Sequence, residues 1–316
     1  MEARRKHPRR PSLGRAVIAL ATAALIGGSA CGVPTAADGV RRPSPTPPAT
    51  APATAPATAP ATPEPATTIP DPDEAIPESP AKLAATLAKT NAALNAAIDA
   101  WSKQGPPPED VELLALYQQR VYRYAAGHPK VASRAFARLP AALAAQARDN
   151  TAAIRGLLSL ARPIKPSATF RVQEPRPAAE LLGHFKKAER RFGVEWEVLA
   201  AVMFAETKFG RVKSPSYVGA QGPMQFMPAT WKAYGMGGDV HDLRDAVMGA
   251  ANYLRASGAP RDYRRALYAY NPSQAYVDAI TKHARQMKRD PRNYYAYHNW
   301  QVFVLTTEGE RRLTGL

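Results

Sequence analysis

Residues 198–210 read Val198-Leu199-Ala200-Ala201-Val202-Met203-Phe204-Ala205-Glu206-Thr207-Lys208-Phe209-Gly210, and the first eight are apolar without interruption. A helix with no polar side has no face to give to water, so this one must lie inside a helical domain. Gly210 is the expected C-cap, because glycine takes the left-handed conformation that ends helices at little cost. The carboxylate of Glu206 then emerges at the C-terminal end of a buried helix. Loss of water disfavours its anion, and so does the negative end of the helix dipole. Both raise its pKa, as a general acid requires if it is to hold a proton near neutrality. A surface Glu206 paired with Lys208 or Arg211 accounts for the same spacing. The residues by themselves leave the two readings open.

Working outward, residues 178–192 place Leu181, Leu182, Phe185, Ala188 and Phe192 on one side and Lys186, Lys187, Arg190 and Arg191 on the other, an amphipathic helix. Downstream, Asp242 reads as an N-cap with Asp245 at N3 of a helix over 246–254, and Asp262 opens a helix over 263–270. The run 237–245 lacks the spacing of a calcium loop, so no metal is expected. A small β element is expected near 210–225. Upstream, Leu83, Leu87, Leu94, Ile98 and Trp101 share one helical face, stopped by Gly105-Pro106-Pro107-Pro108. Val111, Leu114, Tyr117, Val121 and Tyr124 mark a second helix, 131–138 a short third, and 141–160 a fourth interrupted at Asp149-Asn150. Nothing in this helical module, 81–165, has catalytic spacing, so its expected work is to support or position the next domain. The last stretch, 291–316, begins with aromatic-dense residues from Tyr294 to Val304. It is read as a tail that packs back on the domain rather than as a sugar-stacking platform, because Val302 and Val304 alternate like a buried strand.

Composition sets the compartment. The chain has 316 residues, a formal net charge of +16 and one cysteine, which excludes an intramolecular disulfide and any Cys-rich metal site. The six histidines are scattered without ligand spacing, and no phosphate-binding or dinucleotide-binding glycine motif is present. Residues 1–30 carry six Lys/Arg and then the apolar run 16–26, the pattern of a signal peptide and shorter than a membrane span. Gly27-Gly28-Ser29-Ala30-Cys31 follows and resembles a bacterial lipobox, with Gly28 where a branched apolar residue is usual. Lipidation of Cys31 is therefore expected, against the plainer alternative of cleavage after Ala30 that leaves a free thiol. Residues 31–80 are rich in Pro, Ala and Thr, with Pro-Ala-Thr starting at 48, 52, 56 and 60. They read as a disordered tether, reaching on the order of 150 Å if extended at about 3.1 Å per residue. An exported chain has little use for nucleic acid, so the positive charge points to an anionic wall or lipid.

Ser216-Tyr217-Val218-Gly219-Ala220-Gln221-Gly222-Pro223-Met224-Gln225-Phe226-Met227-Pro228-Ala229-Thr230-Trp231 is a Gly-rich turn, and Ala266-Leu267-Tyr268-Ala269-Tyr270-Asn271-Pro272-Ser273 comes before Tyr276-Val277. With Glu206-Thr207, these resemble the SLT-type lytic transglycosylases of peptidoglycan over about residues 180–285. The variant GPMQFMPATW is similar to the membrane-bound murein transglycosylase B branch. The resemblance implies a mainly α, lysozyme-like catalytic domain, 166–290, behind the helical module, the tether and the signal peptide. It implies Glu206 as the lone catalytic acid and base, with no cofactor. Ser216 is implied to orient the substrate, Gln225 to hydrogen-bond the sugar, and Met224 and Phe226 to line its apolar face. Tyr270 is implied to hold Glu206 by a hydrogen bond, with Asn271 supporting the cleft. The implied reaction cleaves the MurNAc-β-1,4-GlcNAc bond and forms 1,6-anhydroMurNAc. The alternatives are a lysozyme-like muramidase on the same fold and a non-catalytic wall-binding lipoprotein. Implied partners are the glycan strands and, through the N-terminal lipid, the membrane. The expected protein is a monomer of the cell envelope that faces the wall and binds no nucleic acid.

Overall fold

The computed structural model describes residues 69–313, in which eleven helices precede one β-hairpin. The leader, Cys31 and the tether as far as Thr68 lie outside the described residues. Helix α1, Pro80–Ala100, starts where the Ser79 hydroxyl accepts from the Lys82 amide and proline occupies the first turn. Its Leu83, Leu87, Leu94 and Ile98 are fully buried, as the heptad-like spacing predicts. Helix α2, Glu109–Gly127, opens with Glu109, Asp110 and Glu112 against its positive dipole end. Helix α3 is Pro129–Phe136, two residues earlier than expected because Pro129 suits the first helical position.

Helix α4, Ala141–Leu158, runs through Asp149-Asn150 without the expected interruption. Both side chains find partners on other elements instead of competing for their own backbone. Asp149 accepts from Arg285 at 2.5 Å, and the Asn150 carbonyl accepts from the Tyr297 hydroxyl at 2.7 Å. The end of the expected tether also departs from prediction, since residues 69–79 are held on α2. Arg120 donates to the carbonyls of Pro72 and Glu74 at 3.0 and 2.8 Å, and the Tyr117 hydroxyl donates to that of Ala75. Proline-rich backbone leaves carbonyls without local partners, and a guanidinium supplies donors for them.

The second half comprises α5, Ala178–Phe192; α6, Trp196–Thr207; α7, Pro228–Tyr234; α8, Leu243–Ser257; α9, Tyr263–Tyr270; α10, Gln274–Arg289; and α11, Arg292–His298. Asp242 caps α8 by accepting from the Asp245 amide, and Asp262 caps α9, as read from sequence. The hairpin, β1 Phe303–Thr306 and β2 Gly309–Arg312, is antiparallel with Phe303 opposite Arg312 and Thr306 opposite Gly309. Near 210–225 there are only isolated bridges, Val172 with Val212 and Gln221 with Phe226.

Helix α6 is buried on every face, from Val198 to Phe204. Helix α10 packs across it, and α4 packs on α10, so one core runs from Leu83 to Trp300. The aromatic tail packs into that core. Phe204 stacks on Tyr297 at 5.1 Å and meets the edge of Trp300 at 5.7 Å. Tyr294, Tyr297 and Trp300 are at most 1% exposed, which leaves them no face for a sugar. Among the described residues, no helix is long and apolar enough to cross a membrane.

Candidate active site

The end of α6 is built against ordinary preference. Lys208 is the C-cap with φ 52°, and Phe209 at 58° and Gly210 at 84° continue in the left-handed region. The cap expected at Gly210 therefore comes two residues earlier, on residues with side chains. Such backbone costs on the order of 1 kcal/mol or more at each non-glycine residue and persists only where neighbours impose it. Thr207 supplies much of that constraint. Its hydroxyl accepts from the Gly210 amide at 2.9 Å and donates to the Pro223 carbonyl at 2.7 Å. Phe209, 1% exposed, is wedged against Phe204 and Tyr294.

This termination presents Glu206, half-buried, with a single hydrogen-bond partner among the described residues: the Tyr276 hydroxyl donates to its Oε1 at 2.8 Å. Arg211 pairs with Glu174 at 2.9 Å, and no ion pair within 4 Å joins Glu206 to Lys208. The surface-pair reading is thereby excluded. Burial pushes the Glu206 carboxyl up to about 7, while the Tyr276 hydrogen bond and the Lys208 charge pull the other way. Burial draws Lys208 down to about 7, assisted by Arg123 and opposed by Glu206. His283, 1% exposed beneath them, is pushed down to about 3 by burial and then by Lys208 and Lys282, so it is neutral at ordinary pH.

The other expected residues sit around the Gly-rich turn in different roles. Tyr270 does not reach Glu206; its hydroxyl donates to the Met224 carbonyl at 2.6 Å, fixing the turn to the end of α9. Met224 and Phe226 are 0% and 2% exposed and belong to the core, not to a sugar-binding face. Phe226 meets Trp231 edge-on at 5.1 Å and Tyr270 at 5.9 Å. Ser216 is buried, and its hydroxyl closes the turn by accepting from the Ala220 amide at 2.8 Å. Gln225 has φ 50° and donates to the Gly222 carbonyl at 2.9 Å, leaving its own buried carbonyl oxygen without a partner among the described residues. Asn271 is buried at the corner between α9 and α10, its carbonyl accepting from the Ser273 amide. Gly222 is required where it stands, with φ 73° and the Val240 carbonyl oxygen 1.9 Å from where a Cβ would lie.

Tyr276 is the residue the sequence reading passed over. It lies in the first turn of α10 on the stripe Tyr276, Val277, Ile280, Ala284 and Met287, all buried. Helix α10 packs against α6 as well as α4, so a hydroxyl on its buried stripe was a candidate partner for Glu206.

Glu206 opens on a cavity walled by Gln119 and Arg123 of α2, Leu157 and Leu158 of α4, Lys208, Val302, and Phe303 of β1. Glu206 is the one carboxylate among the lining residues. No group of three His, Cys, Asp or Glu side chains among the described residues could hold a metal ion. Asp239, Asp242 and Asp245 are spent on backbone amides of the loop and the α8 cap.

Residues 183–293 match the family described as the transglycosylase SLT domain. The chain is also similar, at 27% identity over 131 residues, to the membrane-bound lytic murein transglycosylase F of Thiobacillus denitrificans. That match covers 39% of this chain and 27% of the relative, so the chain spans only about a quarter of that protein's length. The relative is of type F by name, whereas the motif variant resembled the B branch. No solved structure matches the chain.

Proposed function

We propose that this chain, which carries an SLT-type transglycosylase domain, is a peptidoglycan lytic transglycosylase with Glu206 as both acid and base. One observation carries the reading. A half-buried carboxyl, with its pKa near 7, lies against one tyrosine hydroxyl and faces a cavity that offers no second carboxylate. Hydrolysis by two carboxylates needs one residue to protonate the leaving oxygen and another to act as nucleophile or activate water. A lytic enzyme needs only one. Protonated Glu206 gives its proton to the glycosidic oxygen between MurNAc and GlcNAc. The substrate's C2 acetamido oxygen stabilises C1. The Glu206 carboxylate then takes the proton of the MurNAc C6 hydroxyl as that oxygen closes on C1, giving the 1,6-anhydro sugar without consuming water. A pKa near 7 suits both steps, since neither protonation state is far out of reach. Tyr276 keeps the carboxyl aimed through the cycle.

The leader and Cys31 extend the proposal to the compartment. The protein is exported, lipidated at Cys31 and held in the cell envelope as a monomer, where the net positive charge that remains after the basic leader is removed favours the anionic wall. A mature chain that begins at an unmodified Cys31 by mass spectrometry ends that part of the proposal.

Digestion of purified peptidoglycan in labelled water tests the reaction. The expected products carry anhydroMurNAc ends and no label, with or without chelator. Glu206→Gln is expected to fold and to lose at least about 10²–10⁴-fold in rate, the usual worth of general acid–base catalysis. Labelled reducing MurNAc ends identify a muramidase instead. A folded, fully active Glu206→Gln variant removes Glu206 from the mechanism altogether.

A further inference from the structure

The cavity beside Glu206 contains a lysine, charged below its pKa of about 7, that the reaction above does not use. Lys208 is half-buried, donates one hydrogen bond to the Phe204 carbonyl at 2.9 Å, and sits 4.3 Å from the Phe204 ring centroid. An ammonium has three N–H donors, so two are unspent within the described residues. No carboxylate there comes within 4 Å of it, although buried charges are ordinarily paired. The second cation of the cavity, Arg123, is already neutralised: it grips Glu310 at 2.7 and 2.8 Å. The wall of the same cavity includes the apolar side chains of Leu157, Leu158 and Val302. Arg123 and these three lie outside the matched residues 183–293, so this wall comes from parts of the chain beyond the SLT domain.

We propose that this cavity is a subsite for the carboxylate end of the peptidoglycan stem peptide, with Lys208 taking the carboxylate and Leu157, Leu158 and Val302 taking the methyl groups of alanine. The proposal rests on the reading of peptidoglycan as substrate. Charge complementarity selects the occupant. Hydrogen bonds from an ammonium to a carboxylate are roughly twice as strong as those between neutral groups, so sugar hydroxyls are the poorer match. The stem peptide hangs from MurNAc, the sugar whose C1 reacts at Glu206, so the peptide lies within reach of a cavity that Glu206 itself lines.

The test uses the full chain carrying Glu206→Gln, so that nothing turns over, titrated calorimetrically at about pH 5.5, where Lys208 stays charged without Glu206, with N-acetyl-Ala-γ-D-isoGln-Lys-D-Ala and with its C-terminal amide. The isoglutamine leaves one free carboxylate, at the C-terminus. The acid is expected to bind about tenfold or more tighter than the amide, the worth of a charged hydrogen bond. Lys208→Met should abolish that ratio. Leu158→Glu, which leaves the helix cap untouched, should reduce it by repulsion. Equal binding of acid and amide overturns the subsite, as does a ratio unchanged in both variants. Competition by inorganic phosphate at equal concentration marks a general anion site and overturns it too. A wild-type enzyme that forms anhydroMurNAc while its Glu206→Gln form ignores the carboxylate refutes the subsite alone. Selective binding with no anhydro product refutes the lytic reading and leaves the carboxylate subsite standing.

Discussion

Burial lifts the Glu206 carboxyl to about 7, while the Tyr276 hydroxyl at 2.8 Å and the Lys208 charge keep it from rising further. Tyr276→Phe removes the hydrogen bond and leaves burial less opposed, so the folded-state pKa moves upward. If Glu206 must be protonated to begin the reaction, kcat/KM falls as pH rises through that pKa. The expected result is an alkaline limb displaced to higher pH together with a maximum lowered about tenfold, the worth of one hydrogen bond to a charged group. A pH–rate profile of both proteins measures the two effects together. A lowered maximum with an unmoved limb would mean that Tyr276 only supports the fold. Sequence pointed to Tyr270 for this role, and the two tyrosines are just six residues apart. What separates them is the corner at Asn271–Ser273, which ends α9 with Tyr270 turned to the Met224 carbonyl and starts α10 with Tyr276 turned to α6. Neither spacing nor residue type encodes the direction of that corner.

Helix α6 was legible because an uninterrupted apolar run has one stable location, and the caps at Asp242 and Asp262 were legible because their side chains bond amides three residues away. The left-handed cap at Lys208 was not legible, since its cause is tertiary. Thr207 ties the chain reversal to the Pro223 carbonyl sixteen residues on and thereby joins the acid's helix to the Gly-rich turn. Met224 and Phe226 were misplaced for a related reason. A turn motif shows which residues occur in it and not which side faces the core. Thr207→Ser keeps both hydrogen bonds and is expected to melt within about 0.5 kcal/mol of wild type. Thr207→Val leaves the buried Gly210 amide and Pro223 carbonyl unsatisfied, and should lose about 1–3 kcal/mol. Urea unfolding of the two variants compares them directly. Equal stability of the Ser and Val variants would show that packing, rather than these bonds, imposes the cap.

At the scale of the molecule, the family match covers residues 183–293, but the core does not stop at either edge of that segment. Helix α4 lies along α10, pinned to it by Asp149 to Arg285 and to α11 by Gln146 to Asn293 at 2.7 Å and by Asn150 to the Tyr297 hydroxyl. Gln119 of α2 donates to the Gln301 carbonyl and accepts from its amide, both at 2.9 Å, while Trp300 packs against Tyr122. Cutting the chain at 165 would expose Tyr297 and Trp300, each worth about 1.5–3 kcal/mol of burial, along with the α4-facing side of α10. It would also exchange those hydrogen bonds for bonds to water, at a net cost of about 0.5–1.5 kcal/mol apiece. Together these losses are comparable with the roughly 5–15 kcal/mol that holds an ordinary domain folded. Residues 166–316 produced alone are therefore expected to be unfolded or aggregated, whereas residues 69–316 should give a single cooperative thermal transition by circular dichroism. On that outcome the helical module folds as one body with residues 166–316 and forms one wall of the cavity at Glu206. A 166–316 fragment that melts cooperatively at the temperature of the longer chain would restore the reading of two independent domains.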